Sequence, residues 1–419
     1  VILAGHGHAN KKMNFSGIPG VMGRSTLSAK ETPGYTIVEV IRDSVLFSEV
    51  NIGGKNIQWH AIALAVNKPE PVDSTQYINY TGIEAAKKEL NTTISAPLLN
   101  ADGRIFISTY NNGIICTDYK GEDLWRYDPN GTILSKPVFH EGILVSATAE
   151  GDLFSLEAHT GKLIQVIGLG EPVTSQLQII DVNYNNEKTK GVIAGTGNGN
   201  LYCYDLYTFE LIWENNSAEG MIETKPLYID EKLIFGSWDG WLYCLNASSG
   251  VLNWKWTENK NFYYSPAACW PVSDGKRIYI ATPDKFVSAV DLLLGTTVWK
   301  NNSYEAWETI QLSESKELLY VKSFRDNFFI ISARDGKQVR KLEFNFGIDT
   351  MPNPPVETNK KIYFGSKNGI IYAINKGDYS WEKILFSGTA RVHSLILLEN
   401  NKIAAINMDG TLIIADSGL

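Results

Sequence analysis

LIFGSWDGWLYCLNASSGVLNW, residues 233–254, compresses three short strands and two turns into one stretch. An apolar run ends at a Ser-Trp-Asp-Gly turn, and Gly240 supplies the positive φ that a tight antiparallel reversal needs at little steric cost. LYCLN then runs apolar through most positions, as a strand covered on both faces does. A second turn ends at Gly250, and a third strand carries Trp254.

The same order recurs on either side, in GTGNGNLYCYDLYTFELIWE (195–214) and GSKNGIIYAINKGDYSWEK (365–383). Turn residues of this kind fall at Gly113, Gly151, Gly199, Gly240, Lys285, Asn327, Gly369 and Gly410, spaced 38 to 48 residues apart. Pro97, Pro137, Pro226, Pro266 and Pro355 mark the start of five units, with Gln176, Gln311 and Ser394 aligned to that slot in the others. A period near forty residues is the signature of a repeat architecture whose units cannot bury their faces alone. Four-stranded sheets packed radially do bury them, and ring closure shields the edges. The expectation is an all-β fold, an eight-bladed β-propeller, with seven blades as the alternative.

These repeats resemble the pyrroloquinoline-quinone-like propeller family, and residues 233–254 carry the best match. The resemblance implies a propeller over residues 91–419, and eight-bladed members are common in that family. Units five and six depart most, with Lys285 and Asn327 at the turn and no Trp in unit six. The last unit ends after its third strand, LIIAD, so an outer strand from upstream should complete it. Lys55–Val66 is one candidate, because Gly54 and Trp59 mimic the spacing before other outer-strand tryptophans. Residues 67–90 read as a linker, with TGIEAAKKEL (81–90) a short helix whose Thr81 and Glu84 have capping-box spacing.

The recurrent tryptophans, Trp125, Trp213, Trp254, Trp299 and Trp381, follow the blade period. They are expected to pack blade on blade with each indole N–H on a backbone acceptor. Cys116, Cys203 and Cys244 share one repeat slot and read as small core residues, while Cys269 is out of register. Quinone-dependent relatives carry, by the resemblance, a vicinal disulfide against the cofactor and a central calcium ion. No Cys-Cys pair occurs in this sequence, so a pyrroloquinoline quinone cofactor is not expected.

Out-of-register aromatics are better ligand candidates. Trp238 and Trp241 flank the turn of unit four, Phe262, Tyr263 and Tyr264 lie in the crossover after it, and Trp307 lies in the next crossover. Together they are expected to form a protein- or glycan-binding patch on one propeller face.

The chain opens VILAGHGHAN, where a short apolar strand runs into a turn carrying His6 and His8 between glycines. Neutral imidazoles are common ligands of zinc, iron and related ions. This segment, with GIPGVMGRS (17–25) and PGYTIVEVIRDSVLFSEV (33–50), resembles the C-terminal end of a calcineurin-like metallophosphoesterase. The resemblance implies that residues 1–66 end such a domain, with His6 and His8 each ligating one ion of a dinuclear Mn, Fe or Zn type centre. The remaining motifs of that family do not occur in these 419 residues, so this chain alone is expected to be inactive while a longer parent hydrolyses phosphoesters.

Net charge is −8 with no long basic run, which argues against a nucleic-acid partner. No run of 18 apolar residues is present to span a membrane. The expected role is therefore the propeller-bearing part of a periplasmic or extracellular phosphoesterase. A non-enzymatic protein-interaction scaffold is the alternative, and a quinone-dependent dehydrogenase a remote third.

Overall fold

The computed structural model describes residues 1–7, 9–15, 17–24, 33–64, 83, 85–111, 113–399 and 401–416. The chain divides into two compact units, Val1–Gln76 and Tyr77–Leu419.

In the first unit, strand Ile2–Gly7 pairs in parallel with Ile18–Arg24, which pairs antiparallel with Lys11–Phe15. A second sheet is the antiparallel meander Gly34–Ile41, Ser44–Asn51, Asn56–Ala63. Val21, Val45, Phe47 and Ile62 form one buried cluster, with Trp59 packed against it. Trp59 is thus committed to this small core, and the strand Asn56–Ala63 does not close the repeat array as the Lys55–Val66 expectation had it.

The second unit contains eight four-stranded antiparallel sheets, numbered here 1 to 8 in chain order. Sheet 4 is typical: Leu227–Ile229 innermost, then Lys232–Gly236, Leu242–Asn246 and, outermost, Leu252–Trp256. Consecutive sheets are joined around the axis by hydrogen bonds from one recurrent position just before the inner strand. Ser135 Oγ donates to Ser175 O (2.6 Å), Gln176 N to Thr224 O (3.1 Å) and Thr224 Oγ1 to Cys269 O. Asn353 N donates to Thr309 Oγ1 (3.2 Å), and its Nδ2 to Val392 O (2.9 Å). Leu98 N donates to Ser394 Oγ (3.1 Å), so the last sheet borders the first.

The strand that closes sheet 8 is Ala85–Glu89, paired antiparallel with Thr411–Asp416. The expected helix over residues 81–90 does not form across this stretch. Ala, Lys and Glu favour helix, yet five residues cannot repay helix nucleation, whereas the open edge of the last sheet satisfies every backbone group of an added strand. Thr411 Oγ1 donates to Glu89 (2.7 Å), and Lys88 Nζ reaches Gly121 O and Asp123 Oδ1 of sheet 1, both at 2.6 Å.

Four of the recurrent tryptophans behave as the repeat predicts. Trp125, Trp213, Trp254 and Trp299 donate to the carbonyls of Ala158, Ala247, Leu292 and Ala333 in the next sheet, at 2.9–3.2 Å. Each indole lies on a glycine of that sheet's third-to-fourth turn, Gly161, Gly250, Gly295 or Gly336, where a Cβ would come within 2.6 Å of the ring. At two outer strands that carry no Trp, those of sheets 2 and 6, the glycine is gone too. Gln165 of sheet 2 faces the turn of Phe209 (φ 56°), and Arg340 of sheet 6 lies 5.9 Å from the ring of Tyr379 (φ 59°). One aromatic fills each of these interfaces, from one side or the other.

Trp381 departs from the expectation. It pairs with Ile374 rather than with the slot residue Ala373, and its ring sits 4.5 Å from Phe344 of the preceding sheet. The long strand Gln338–Ile348 carries Leu342, Phe344 and Phe346 into a core with Phe328, Phe364 and Tyr372, which draws Trp381 backward.

Two slot assignments also shift. The positive-φ residue in sheet 6 is Asp326 (φ 57°), not Asn327; a short polar side chain tolerates this region. In sheet 5 the inner strand follows Pro271, while Pro266 opens a 3-10 turn in the crossover. The cysteines are free and buried, with Cys116, Cys203 and Cys244 cross-strand from Trp125, Trp213 and Trp254. Burial pushes their thiols up, Cys116 to about 12 and Cys244 to about 11.

Candidate functional site

Packing of the sheets brings residues at the entry of the inner strands to the axis: Pro97, Gln176 and Gln311 from the slot itself, and elsewhere the residue just before the inner-strand proline. In Ser135-Lys136-Pro137 and Thr224-Lys225-Pro226 that residue is a lysine, and in Cys269-Trp270-Pro271 it is a tryptophan. Two cavities follow the axis. One, of about 440 Å3, is lined by Gln176, Glu223, Trp238, Glu308 and Met351 on the side of the crossovers and second-to-third turns. The other, of about 470 Å3, is lined by Lys136, Lys225, Gln311, Glu314 and Glu357. Pro97, Trp270 and His393 line both, so the cavities abut there.

Charge is segregated along this axis. Enclosure by protein holds the Lys136 ammonium down to about 8, with Lys225 nearby adding repulsion. Lys225 is lowered by the same enclosure, although the residue is exposed to solvent. Its Nζ stands 5.6 Å from the centre of the Trp270 ring. On the crossover side, burial and then the charge of Glu223 push Glu308 up to about 7. His393 is driven down to about 4 by burial, with Arg391 adding to the effect, so its ring is neutral at physiological pH. Titratable groups displaced this far collect at functional clefts more often than elsewhere.

The mouth on the crossover side carries part of the aromatic set singled out in the sequence. Asn261 caps a 3-10 turn, Phe262–Tyr264, by accepting from Tyr263 N, and this turn sets Phe262 against Trp238, which lines the crossover-side cavity. Phe262 lies 5.1 Å from Trp238 and 5.7 Å from Tyr263, and Trp238 Nε1 donates to Glu223 Oε2 at 3.0 Å. Phe262 and Tyr263 are 57% and 76% exposed, which is unusual for rings held in a fixed stack. Trp307 pairs instead with Phe324 (5.1 Å) in the next crossover. Trp241 lies between the ammonium groups of Lys255 and Lys260, 4.5 and 5.8 Å from its ring, and packs on the core between sheets 3 and 4.

His6 lies on strand Ile2–Gly7, and His8 falls outside the described residues. Among the described residues no group of three or more His, Cys, Asp or Glu is arranged to hold a metal ion. Two imidazoles do not fit a dinuclear centre, in which each ion takes four to six donors.

Sequence reading missed Lys136, Lys225, Trp270, Glu308 and His393. For the two lysines a signal was present, since each stands directly before a recurrent proline, in Ser135-Lys136-Pro137 and Thr224-Lys225-Pro226.

A family model described as outer membrane protein assembly factor BamB matches residues 74–224 and 197–418. Outer membrane protein assembly factor BamB of Nitrosomonas eutropha is 28% identical over 185 residues, 42% of this chain and 44% of that protein. The protein of the same name from Shewanella oneidensis is 21% identical over 298 residues, 68% of this chain and 72% of its own length. The crystal structure of BamB from Moraxella catarrhalis superposes with a TM-score of 0.61 at 17% identity, covering 79% of this chain and 98% of that one. The computationally designed Ika8 protein gives 0.66 at 15% identity, covering 78% and 98%. These structural likenesses are of fold. No helix among the described residues is long and apolar enough to cross a membrane.

Proposed function

We propose, from the premise that the chain belongs to the family of the outer membrane protein assembly factor BamB, that it is a non-enzymatic scaffold of outer-membrane protein assembly. In this reading the eight sheets are the blades of one closed ring, and the chain works in the periplasm. The observation that carries it is the exposed Phe262 and Tyr263 on a capped turn, with Phe262 tilted against Trp238 of the channel mouth and Tyr263 edge-on to Phe262. Aromatic side chains held rigidly on a closed scaffold make a protein-docking site at low entropic cost. Glu223 and Glu308 on the same mouth favour a partner segment that brings a basic or hydrogen-bond-donating group alongside its apolar contacts.

A photo-crosslinking residue at Tyr263, in the native host, tests this. The expected product is a covalent adduct with another component of outer-membrane protein assembly, lost when Phe262 is changed to Ser. Adducts absent at Tyr263 but abundant on the opposite face of the ring would overturn the site, and adducts only to unrelated proteins would overturn the function.

A second reading concerns residues 1–66, as the end of a calcineurin-like metallophosphoesterase domain. Its support is the Gly5-His6-Gly7-His8 run at the end of an apolar strand that pairs in parallel with Ile18–Arg24. It requires ligands beyond those in this sequence, so no catalytic step is assigned to the chain. If native-length protein with manganese hydrolyses p-nitrophenyl phosphate and His6→Ala abolishes this, the scaffold carries an enzyme. Unchanged or absent hydrolysis removes the reading.

A further inference from the structure

Lys136 and Lys225 come from sheets 2 and 4 and meet at the axis because each occupies the residue before the inner-strand proline. Among the described residues, neither amino group has an ion-pair or hydrogen-bond partner. Every other charge at this level is accounted for. The Glu357 carboxylate accepts from Tyr320 OH (2.9 Å) and pairs with Lys376, and Glu314 is exposed to solvent. Among the described residues, the only compensation near Lys225 is the Trp270 face, 5.6 Å away. Like charges enclosed together repel, and a low-polarity wall strengthens that repulsion.

His393 supplies a second, independent sign. Its Nε2 is buried without a hydrogen-bond partner, and the ring lines the same cavity as both lysines. Buried polar atoms are almost always paired in folded proteins, and an unpaired one on a cavity wall is open to a ligand or an ordered water. A neutral imidazole can donate one N–H to an oxygen acceptor placed in the channel.

We propose that the ring axis holds a binding site for a small oxyanion, gripped by Lys136 and Lys225, with Trp270 as a flat wall and His393 as a neutral donor. The cavity of about 470 Å3 admits inorganic phosphate or a short dicarboxylate. An oxyanion there turns a repulsive pair into two charge-assisted hydrogen bonds. Such an anion ties sheet 2 to sheet 4 across the axis, which no covalent or ion-pair contact among the described residues does. The lysines line only the second cavity, whereas Trp270 and His393 border the crossover-side cavity as well.

The test uses the full chain, titrated with sodium phosphate or with succinate against sodium chloride at matched ionic strength. Readouts are thermal unfolding and Trp fluorescence. The expected result is a melting point raised by several degrees over chloride at millimolar phosphate or succinate, with saturation at one equivalent by calorimetry. Lys136→Met and Lys225→Met should each weaken binding at least tenfold, while Lys136→Arg, which keeps the charge, retains it. A response to phosphate alone identifies the anion as a phosphate, and a response to succinate alone identifies a carboxylate. Equal behaviour in all three salts, or binding that survives both methionine variants, overturns the proposal.

Discussion

Replacing Trp213 and its underlying glycine, singly and together, measures how the ring is held. Trp213 is 8% exposed, donates to Ala247 O at 2.9 Å and lies on Gly250. Trp213→Ala should cost about 3–5 kcal/mol, of which the lost hydrogen bond is about 1. Gly250 has φ +69°, and a Cβ there would sit 2.6 Å from Trp213 Cε3. Gly250→Ala therefore carries two penalties: about 1–2 kcal/mol for an L-residue in the left-handed region, and about 1–3 for overpacking against the indole. In the double variant the indole is absent and the overpacking disappears, but the backbone penalty stays. The double variant should thus be more stable than the sum of the singles by about 1–3 kcal/mol. Denaturant unfolding followed by far-ultraviolet circular dichroism suits the measurement, because other tryptophans complicate fluorescence. Additivity within about 0.5 kcal/mol would refute the stack, since independent sites add.

Other perturbations address the axis and the closure. Glu308 titrates near 7 in the folded chain against 4.5 when free, so the folded state holds its proton more tightly. Stability therefore falls as pH rises from about 4.5 to about 7 and stays low above that. Glu308→Gln should match the parent near pH 4 and exceed it by on the order of 2–3 kcal/mol near pH 8; a pH-independent difference in urea titrations would contradict this. At the closure, Ala86 faces Ile414 in the slot that Trp occupies in four other sheets, above Gly121, beside a cavity of about 570 Å3. Ala86→Trp should stabilise by about 1–2 kcal/mol by burying the indole, and a lowered melting point would show that the seam is already filled. Lys88→Met should destabilise by about 1–2 kcal/mol, through loss of charge-assisted bonds to Gly121 O and Asp123. A wild-type melting point for this variant would mean that the clasp contributes nothing.

What the sequence by itself determined was whatever depends on neighbours within one repeat. The turn glycines have positive φ at Gly113, Gly151, Gly199, Gly240, Gly369 and Gly410, as does Lys285, because a tight reversal makes that demand locally. Four recurrent tryptophans find the backbone acceptors that their spacing implied, since each reaches only as far as the next unit. Errors arise where the partner is remote in the chain. Ala85–Glu89 looks helical in isolation, and only the unpaired edge of Thr411–Asp416, more than 300 residues away, makes it a strand. Trp381 carries the repeat's signature, yet the phenylalanine core of sheet 6 turns it backward. The axial lysines, Glu308 and His393 are ordinary residues in their own units. They come together along one channel because packing of the sheets brings residues of separate units to a common axis, which the sequence of a single unit does not encode.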